Sequence, residues 1–167
     1  QVERSSIRQD LYRRDFTINT MAICLDRGRY GELLDYYGGE RDIQEERIRV
    51  LHNLSFIEDP TRILRAVRFE QRLGFIIEQR TAELMEDALE LLDDVTGDRL
   101  RHELYLILQE AEPEDILERL HRLGALEHLH PALHFSQYMS ELFQRLRETF
   151  YEWSTASEKP ERPSGPV

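Results

Sequence analysis

Residues 58–75 of the chain read EDPTRILRAVRFEQRLGF, a pattern that is typical of one amphipathic helix. Asp59 lies at the position of an N-cap. Pro60 follows at the first helical position, where its missing N–H and fixed φ are tolerated. Gly74 is placed to end the helix, because glycine readily adopts the left-handed backbone conformation found there. We therefore predict a helix that begins at Pro60 and ends just before Gly74.

Three arginines of this helix share one face. At 100° per residue, Arg65, Arg68 and Arg72 fall within an arc of about 60°. The residues that lie largely opposite are apolar: Ile63, Ala66, Val67 and Leu73. The pattern predicts a helix with an apolar back that packs in a core and a front of guanidinium groups that binds an anion.

The start of the helix pairs an acceptor with a donor. Asp59 and Arg62 are i,i+3 neighbours, so their side chains can project next to each other. A carboxylate beside a guanidinium complements the pairing edge of adenine or cytosine, where an amino group lies next to a ring-nitrogen acceptor; uracil and guanine would be mismatched at both contacts. The structural alternative is that Asp59 only caps the helix and the arginines form surface ion pairs. The residues alone leave both interpretations open.

The stretch EDPTRILRAVRF resembles the nucleotide-reading motif of the class II tRNA nucleotidyltransferases, the family of CCA-adding enzymes, A-adding enzymes and bacterial poly(A) polymerases. Two further stretches resemble elements of the same family, in the same order: RRDFTIN at residues 13–19 and LLDYYGG at residues 33–39. Tyr36 stands where the family usually has proline. Residues 96–108, with Arg99 and Glu103, resemble a structural neck motif.

This resemblance implies roles for particular residues. Those implied to bind the nucleotide are Arg14, Asp59, Arg62, Arg65 and Arg68, with Asp59 and Arg62 as the base-reading pair. Asp15 and Asn19 are implied to shape the ribose side of the site, and local capping of the backbone is the alternative for both. We expect Asp35 and Asp42 to fix the glycine turn that follows residue 37.

The resemblance also implies an α+β fold that is mostly α. The C-terminal part of a nucleotidyltransferase head, with an antiparallel β-hairpin and short helices, is expected at residues 1–53. A helical neck is expected at 54–125 and the start of a helical body at 126–153. Residues 154–167, rich in Pro, Ser and Glu, are predicted to be a disordered tail or linker.

Local signals place the individual elements. Residues 18–25 and 31–37 form the predicted hairpin strands, and Asp10 is expected to cap a short helix before them. Thr81, Asp98 and Pro113 are placed to start three later helices, the first with an apolar stripe that continues to Leu92.

The composition limits the function classes. The chain has 167 residues and a net charge of −11, which argues against indiscriminate binding of polyanions. Its single cysteine excludes an internal disulfide and a cysteine-rich metal site. There is no long apolar run, so we expect a cytoplasmic protein with no membrane partner.

The family places its catalytic carboxylates in a D-x-D element, and none occurs in residues 1–167. The resemblance therefore implies no catalytic residue and no metal ligand in this chain, with Mg²⁺ bound by carboxylates outside it. Because the chain also begins with Gln1, we expect a piece of a longer polymerase that is inactive on its own.

The implied activity is transfer of AMP, with or without CMP, to tRNA 3′ ends. The implied partners are ATP, with or without CTP, and the tRNA 3′ end. The sequences of residues 50–75 and 97–131 most resemble the multidomain A-adding subgroup of the family. Two alternatives are a bacterial poly(A) polymerase and, in another class, a non-catalytic helical module that binds RNA or protein.

Overall fold

A computed structural model describes residues 6–157. A first compact unit ends at His134 and a second begins at Phe135. The helices of the first unit are α1 (Ile7–Tyr12), α2 (Gly39–Gln44), α3 (Ser55–Glu58), α4 (Arg62–Leu73), α5 (Gln79–Glu86), α6 (Gly97–Leu108), α7 (Pro113–Arg122) and α8 (Ala125–Leu129). Its strands are β1 (Met21–Ile23), β2 (Leu33–Asp35), β3 (Arg47–Ile48) and β4 (Ile76–Ile77), with 3₁₀ turns at Thr17–Asn19 and Leu89–Asp94. The second unit contains α9 (Gln137–Ser157).

The predicted hairpin is confirmed. Strands β1 and β2 pair antiparallel, with Met21 opposite Asp35 and Ile23 opposite Leu33. Asp35 then accepts hydrogen bonds from the four backbone N–H groups of residues 37–40. Burial raises the pKa of the Asp35 carboxyl, but these N–H groups outweigh burial, so its pKa lies below the ordinary value. Asp35 thus fixes the glycine turn as predicted.

The second acidic residue expected at this turn has another role. Asp42 is fully buried and accepts a 2.7 Å hydrogen bond from Thr17 Oγ1. Its carboxylate also accepts from Arg49 Nε at 3.0 Å. The expectation that Asp42 fixes the glycine turn is therefore wrong. Asp42 instead connects α2 to the Thr17–Asn19 3₁₀ turn and to the segment after β3.

A second pair of strands was not predicted. Strands β3 and β4 pair in parallel on either side of α4 in the chain, with Ile48 opposite Ile77. The pairing is only two residues long, so it depends on the packing of α4 and has no local sequence signal.

Helix α4 begins two residues later than predicted. Asp59 is extended, at φ −149° and ψ 93°, and the first tight turn runs from the Asp59 carbonyl to the Arg62 N–H. The end is as predicted, because Gly74 closes the helix at φ +67°. Four apolar residues of α4 are fully buried: Ile63, Leu64, Ala66 and Val67. Helices α6 and α7 pack against α4, so this helix forms the centre of the first unit.

Other helix starts also differ from prediction. Ser6 caps α1 in a capping box with Gln9, so Asp10 is not the cap. Glu78 caps α5, and Thr81 is buried, where its hydroxyl accepts from the Val50 N–H at 3.2 Å. Thr96 is the N-cap residue of α6, and Pro113 starts α7 as predicted.

The predicted apolar stripe after α5 is broken, because a 3₁₀ turn from Leu89 replaces the helix. Helix α9 continues to Ser157, which contradicts a disordered tail from residue 154; the remainder of that prediction, residues 158–167, lies outside the described residues. Within residues 6–157, no helix is both long and apolar enough to cross a membrane. The boundary at residue 53 stays a prediction, since residues on both sides of it lie in the first unit.

Gly39 provides a test of the packing between α2 and the 3₁₀ turn. A Cβ at this position would overlap the Thr17 carbonyl oxygen and lie 3.1 Å from Met21 Cγ. We expect Gly39→Ala to lower the free energy of unfolding by about 1–3 kcal/mol, although alanine favours helices. Chemical denaturation measures this change.

Gly97 is the matched control, because it is also the first residue of a helix and a Cβ there would meet nothing within 4 Å. We expect Gly97→Ala to be neutral or to stabilise by up to about 1 kcal/mol. Equal losses for both variants would contradict the close approach at Gly39.

Candidate functional site

The first unit contains an open polar cavity of about 690 Å³. It lies where three segments meet: the region around the Thr17–Asn19 3₁₀ turn, the start of α4 and the first half of α6. Its lining residues are Arg13, Arg14, Asp15, Asn19, Asp59, Thr61, Arg62, Arg65, Asp98, Arg99, His102 and Glu103. Five arginines and four carboxylates therefore face a shared space, which suits a ligand that carries negative charge and hydrogen-bonding groups.

The structure brings together six of the seven residues singled out from the sequence. The residues at the cavity are Arg14, Asp15, Asn19, Asp59, Arg62 and Arg65. Arg68 is not among the lining residues. Its side chain is 9% exposed, and its guanidinium donates to Glu110 Oε1 at 3.0 Å; Arg72 Nη1 lies 3.8 Å from the same oxygen. The predicted arginine front is thus divided, because a carboxylate after α6 neutralises its second half.

Asp59 uses one carboxylate oxygen for structure. Asp59 Oδ1 accepts from the Thr61 N–H at 3.1 Å and from the Thr61 hydroxyl at 2.6 Å. The same oxygen accepts from Arg99 Nη2, also at 2.6 Å. No described residue donates a hydrogen bond to Oδ2. The capping and base-reading interpretations are therefore compatible, since each needs only one of the two oxygens.

Arg62 is held separately from Asp59. Arg62 Nη1 donates to Ser55, at 2.9 Å to Oγ and 3.3 Å to the carbonyl, and Nη2 donates to the Arg13 carbonyl at 3.1 Å. These contacts leave Nε–H and the second Nη2 hydrogen without a partner among the described residues. Asp59 and Arg62 form no direct ion pair within residues 6–157, so an acceptor and a donor remain available to a ligand.

Asp15 and Arg65 form a largely buried ion pair at the cavity wall. Asp15 Oδ2 accepts from Arg65 Nε at 2.9 Å and from Arg65 Nη2. Asp15 Oδ1 accepts from the Phe16 N–H and from Asn19 Nδ2. Burial raises the pKa of the Asp15 carboxyl, but the hydrogen bonds from Asn19 and Arg65 outweigh burial and lower the pKa below its ordinary value. For Arg65, burial lowers the pKa of the guanidinium, but its contact with Asp15 outweighs burial and raises the pKa above its ordinary value.

These contacts bear on the proposed ribose side of the site. Asp15 and Asn19 bond to each other, to nearby backbone and to Arg65, as the local-capping alternative expects. Glu103 offers a further acceptor at the same wall. Its Oε1 lies 3.6 Å from Arg65 Nη1, and its buried Oε2 has no partner among the described residues.

Sequence reasoning missed the wall formed by α6, which contributes Asp98, Arg99, His102 and Glu103. These residues form two pairs of neighbours separated by one helical turn. Polar residues at i and i+4 lie on one face of a helix, so the spacing itself was the available signal. The resemblance to a structural neck motif led us to assign this segment a packing role.

The described residues do not provide a metal site, because within 6–157 no group of three or more His, Cys, Asp or Glu side chains could hold an ion.

Comparison with known proteins places this geometry in context. Residues 1–49 match the poly(A) polymerase head domain, and residues 74–137 match the probable RNA- and SrmB-binding site of polymerase A. The chain is 56% identical over 134 residues to an A-adding tRNA nucleotidyltransferase of Geobacter sulfurreducens, which covers 79% of this chain and 15% of that protein. It is 41% identical over 164 residues to the A-adding tRNA nucleotidyltransferase of Aquifex aeolicus, covering 97% of this chain and 20% of that protein.

Solved structures resemble the chain to a similar degree. A CCA-adding enzyme in complex with ATP superposes with a TM-score of 0.80 at 48% identity, over 86% of this chain and 35% of that one. The Thermotoga maritima CCA-adding enzyme complexed with tRNA gives a TM-score of 0.79 at 45% identity, over 95% and 39%. The chain thus spans well under half the length of these relatives.

The Asp15–Arg65 pair gives a pH-dependent prediction. The folded-state pKa of Asp15 lies below 3.8, so the pair contributes stability in full above about pH 4 and loses it as the pH falls through the lowered pKa. We expect Asp15→Asn to lower the free energy of unfolding by about 1–3 kcal/mol at pH 7, and by less at pH 3. Chemical denaturation at both pH values measures the difference.

Asp26→Asn serves as the control, because Asp26 is exposed and lies in the hairpin loop away from Arg65. We expect it to change stability little at either pH. A loss for Asp15→Asn that stays constant from pH 7 to pH 3 would contradict the lowered pKa.

Proposed function

Because the chain belongs to the family of poly(A) polymerase head-domain proteins and tRNA nucleotidyltransferases, we propose that it supplies the nucleotide- and base-recognition part of a template-independent RNA nucleotidyltransferase. The activity we propose is addition of AMP, with or without CMP, to tRNA 3′ ends, in the cytoplasm. One observation carries the proposal: Asp59 and Arg62 border the same cavity, and Asp59 Oδ2 and the remaining N–H groups of Arg62 are unpaired among the described residues.

Asp59 and Arg62 select a base by the direction of the hydrogen bonds they form, one as acceptor and the other as donor. Asp59 Oδ2 accepts from the exocyclic amino group of adenine or cytosine, and Arg62 donates to the neighbouring ring nitrogen. Uracil and guanine place a carbonyl opposite the carboxylate and an N–H opposite the guanidinium, so both contacts fail. Separate anchoring keeps the two side chains in place without their neutralising each other, which pre-organises the site.

The arginines at the cavity suit the phosphates of the nucleotide. Arg14 is half-exposed and lies 4.0 Å from its nearest carboxylate, on Asp10, so it can exchange that weak contact for a phosphate. Arg13 also lines the cavity, and its guanidinium has no partner among the described residues. Arg65 is committed to Asp15, so we propose that it contributes charge and shape at the wall. Arg68 lies outside the cavity and has no contact role in this proposal.

The proposal assigns no catalytic residue to this chain. The catalytic carboxylates, and the Mg²⁺ that they bind, are proposed to lie elsewhere in a longer polypeptide. The residues described here then bind the incoming nucleotide, orient its base and exclude mismatched bases, while the RNA 3′ end approaches from outside the cavity.

Among the related activities, A-addition is favoured. The A-adding relative from Geobacter sulfurreducens is 56% identical over 134 residues, above the 48% of the CCA-adding enzyme in complex with ATP, whereas the A-adding relative from Aquifex aeolicus is 41% identical. Product length separates A-addition from CCA synthesis and from poly(A) synthesis: one nucleotide added to a tRNA that ends in C-C, none added to one that ends in a single C, and no long tail on an unrelated RNA.

Substitution of Asp59 tests the base-reading proposal. In Asp59→Asn, the side-chain oxygen can keep the bonds to Thr61 and Arg99, and the amide N–H₂ replaces Oδ2. We expect the ratio of ATP to UTP incorporation, as kcat/KM, to fall roughly ten- to a hundredfold with little loss of stability, because a donor then opposes the adenine amino group. Asp59→Ala should reduce the ratio and also lower stability by about 1 kcal/mol.

The comparison of these two variants separates capping from reading. If Asp59 only caps α4, Asp59→Asn keeps the wild-type ratio and the wild-type stability. Both quantities are measured in the complete enzyme, at a temperature well below every unfolding midpoint.

The absence of catalytic groups gives a second prediction. We expect residues 1–167 alone to add no nucleotide to RNA, because binding groups cannot replace the electrostatic stabilisation of the transferring phosphoryl group. Incorporation of labelled ATP into a tRNA ending in C-C is the assay, with a complete relative as positive control. Mg²⁺-dependent incorporation by this chain alone would contradict the proposal.

A further inference from the structure

We infer that Arg99 is a specificity-determining positioning residue: by binding Asp59 Oδ1 it fixes the plane of the carboxylate, so that the other oxygen, Oδ2, stays directed at the base. This inference rests on the proposed function. It gives α6 a role in base choice that the sequence of residues 58–75 does not indicate.

The contact joins two segments that are far apart in the chain. Arg99 lies in the first turn of α6, and its Nη2 donates to Asp59 Oδ1 at 2.6 Å. Both residues line the same cavity. The other nitrogens of the Arg99 guanidinium make no side-chain contact with the described residues. The guanidinium is therefore placed at the cavity by this one bond.

Thr61 alone does not fix the plane of the Asp59 carboxylate. Its N–H and its hydroxyl both bind Asp59 Oδ1 from one residue, two positions along the chain. The last torsion of an aspartate side chain is broad and nearly two-fold, so a carboxylate held from one side can still swing. Arg99 adds a charged donor from a different helix, and this third contact restricts rotation about the Cβ–Cγ bond.

The same contact adds little to the stability of the fold. The side chains of Arg99 and Asp59 are 51% and 29% exposed, and ion pairs at such positions contribute little net stability. Loss of Arg99 should therefore leave folding nearly intact and release the orientation of Asp59. An effect on base choice without an effect on folding distinguishes positioning from a structural ion pair.

The test uses the complete enzyme that contains this segment. The variants are Arg99→Ala, Arg99→Lys, Asp59→Ala and the double variant Arg99→Ala with Asp59→Ala. The measured quantities are kcat and KM for ATP and for UTP on one tRNA substrate, together with the unfolding midpoint. Arg101→Ala is the matched control, because Arg101 lies on the same helix, is largely exposed, and pairs with Asp98 at 2.8 Å.

We expect Arg99→Ala to lower the ATP-to-UTP ratio about three- to tenfold, a fraction of what loss of the reading oxygen itself produces. Arg99→Lys should restore part of the ratio, because one donor atom makes the contact. In the Asp59→Ala background, Arg99→Ala should change the ratio no further, since it acts through Asp59. Arg101→Ala should match the wild type.

An unchanged ratio in Arg99→Ala overturns the inference. This holds both if nothing changes and if the KM values for ATP and UTP rise equally, as they would for an arginine that binds phosphate. A further fall in the double variant also overturns it. Failure of the proposed function has a different signature: the wild type then adds no nucleotide, or Asp59→Asn leaves the ratio unchanged.

Discussion

The ion pair between Asp15 and Arg65 is the contact on which the rest of the site depends. Asp15 belongs to the segment before the Thr17–Asn19 3₁₀ turn, and Arg65 lies in the first turn of α4. The adjacent Phe16 is fully buried and packs edge-on against Phe69, with ring centroids 5.8 Å apart. Removal of Arg65 would leave the Asp15 carboxylate, which is only 8% exposed, without its charged partner, and this costs more than loss of a surface pair. The pair therefore fixes the wall of the cavity and joins the segment before the Thr17–Asn19 turn to α4.

A second constraint acts at the start of α4, where one carboxylate has two tasks. The chain leaves α3 in an extended conformation at Asp59, and the side chain of this residue accepts a hydrogen bond from the Thr61 N–H before the regular helix begins. This hydrogen bond occupies Oδ1 and leaves Oδ2 available to a ligand at the cavity. A residue that caps a helix is held in a defined orientation, so capping makes the second oxygen a better reader of hydrogen-bonding groups.

Local signals in the sequence predicted much of this fold. The hairpin, the end of α4 at Gly74 and the start of α7 at Pro113 follow from residues close to each element. The parallel pairing of β3 with β4 was missed, because two-residue strands form only where tertiary packing brings them together. The family resemblance, not periodicity, supplied the order of head and neck.

The site was predicted in part for the same reason. Six of the seven singled-out residues line one cavity, because they belong to two contiguous motifs. Arg68 has the correct helical spacing, but its partner Glu110 is 42 residues away and no local pattern reveals it. The wall from α6 was missed because Arg99 meets Asp59, and Glu103 meets Arg65, only in the folded chain. Residue type and spacing predict which side chains share a face; they do not predict which partner occupies it.

The most direct test of the account is the position of Asp59 in the complete enzyme with ATP bound. A crystal structure of that complex gives the distance from Asp59 Oδ2 to the exocyclic amino nitrogen of adenine. We expect about 3 Å, the length of a hydrogen bond, with Oδ1 still bound by Thr61 and Arg99. An adenine amino group with no contact to Asp59, or a carboxylate that has released Thr61 to reach the base, would contradict the division of tasks between the two oxygens.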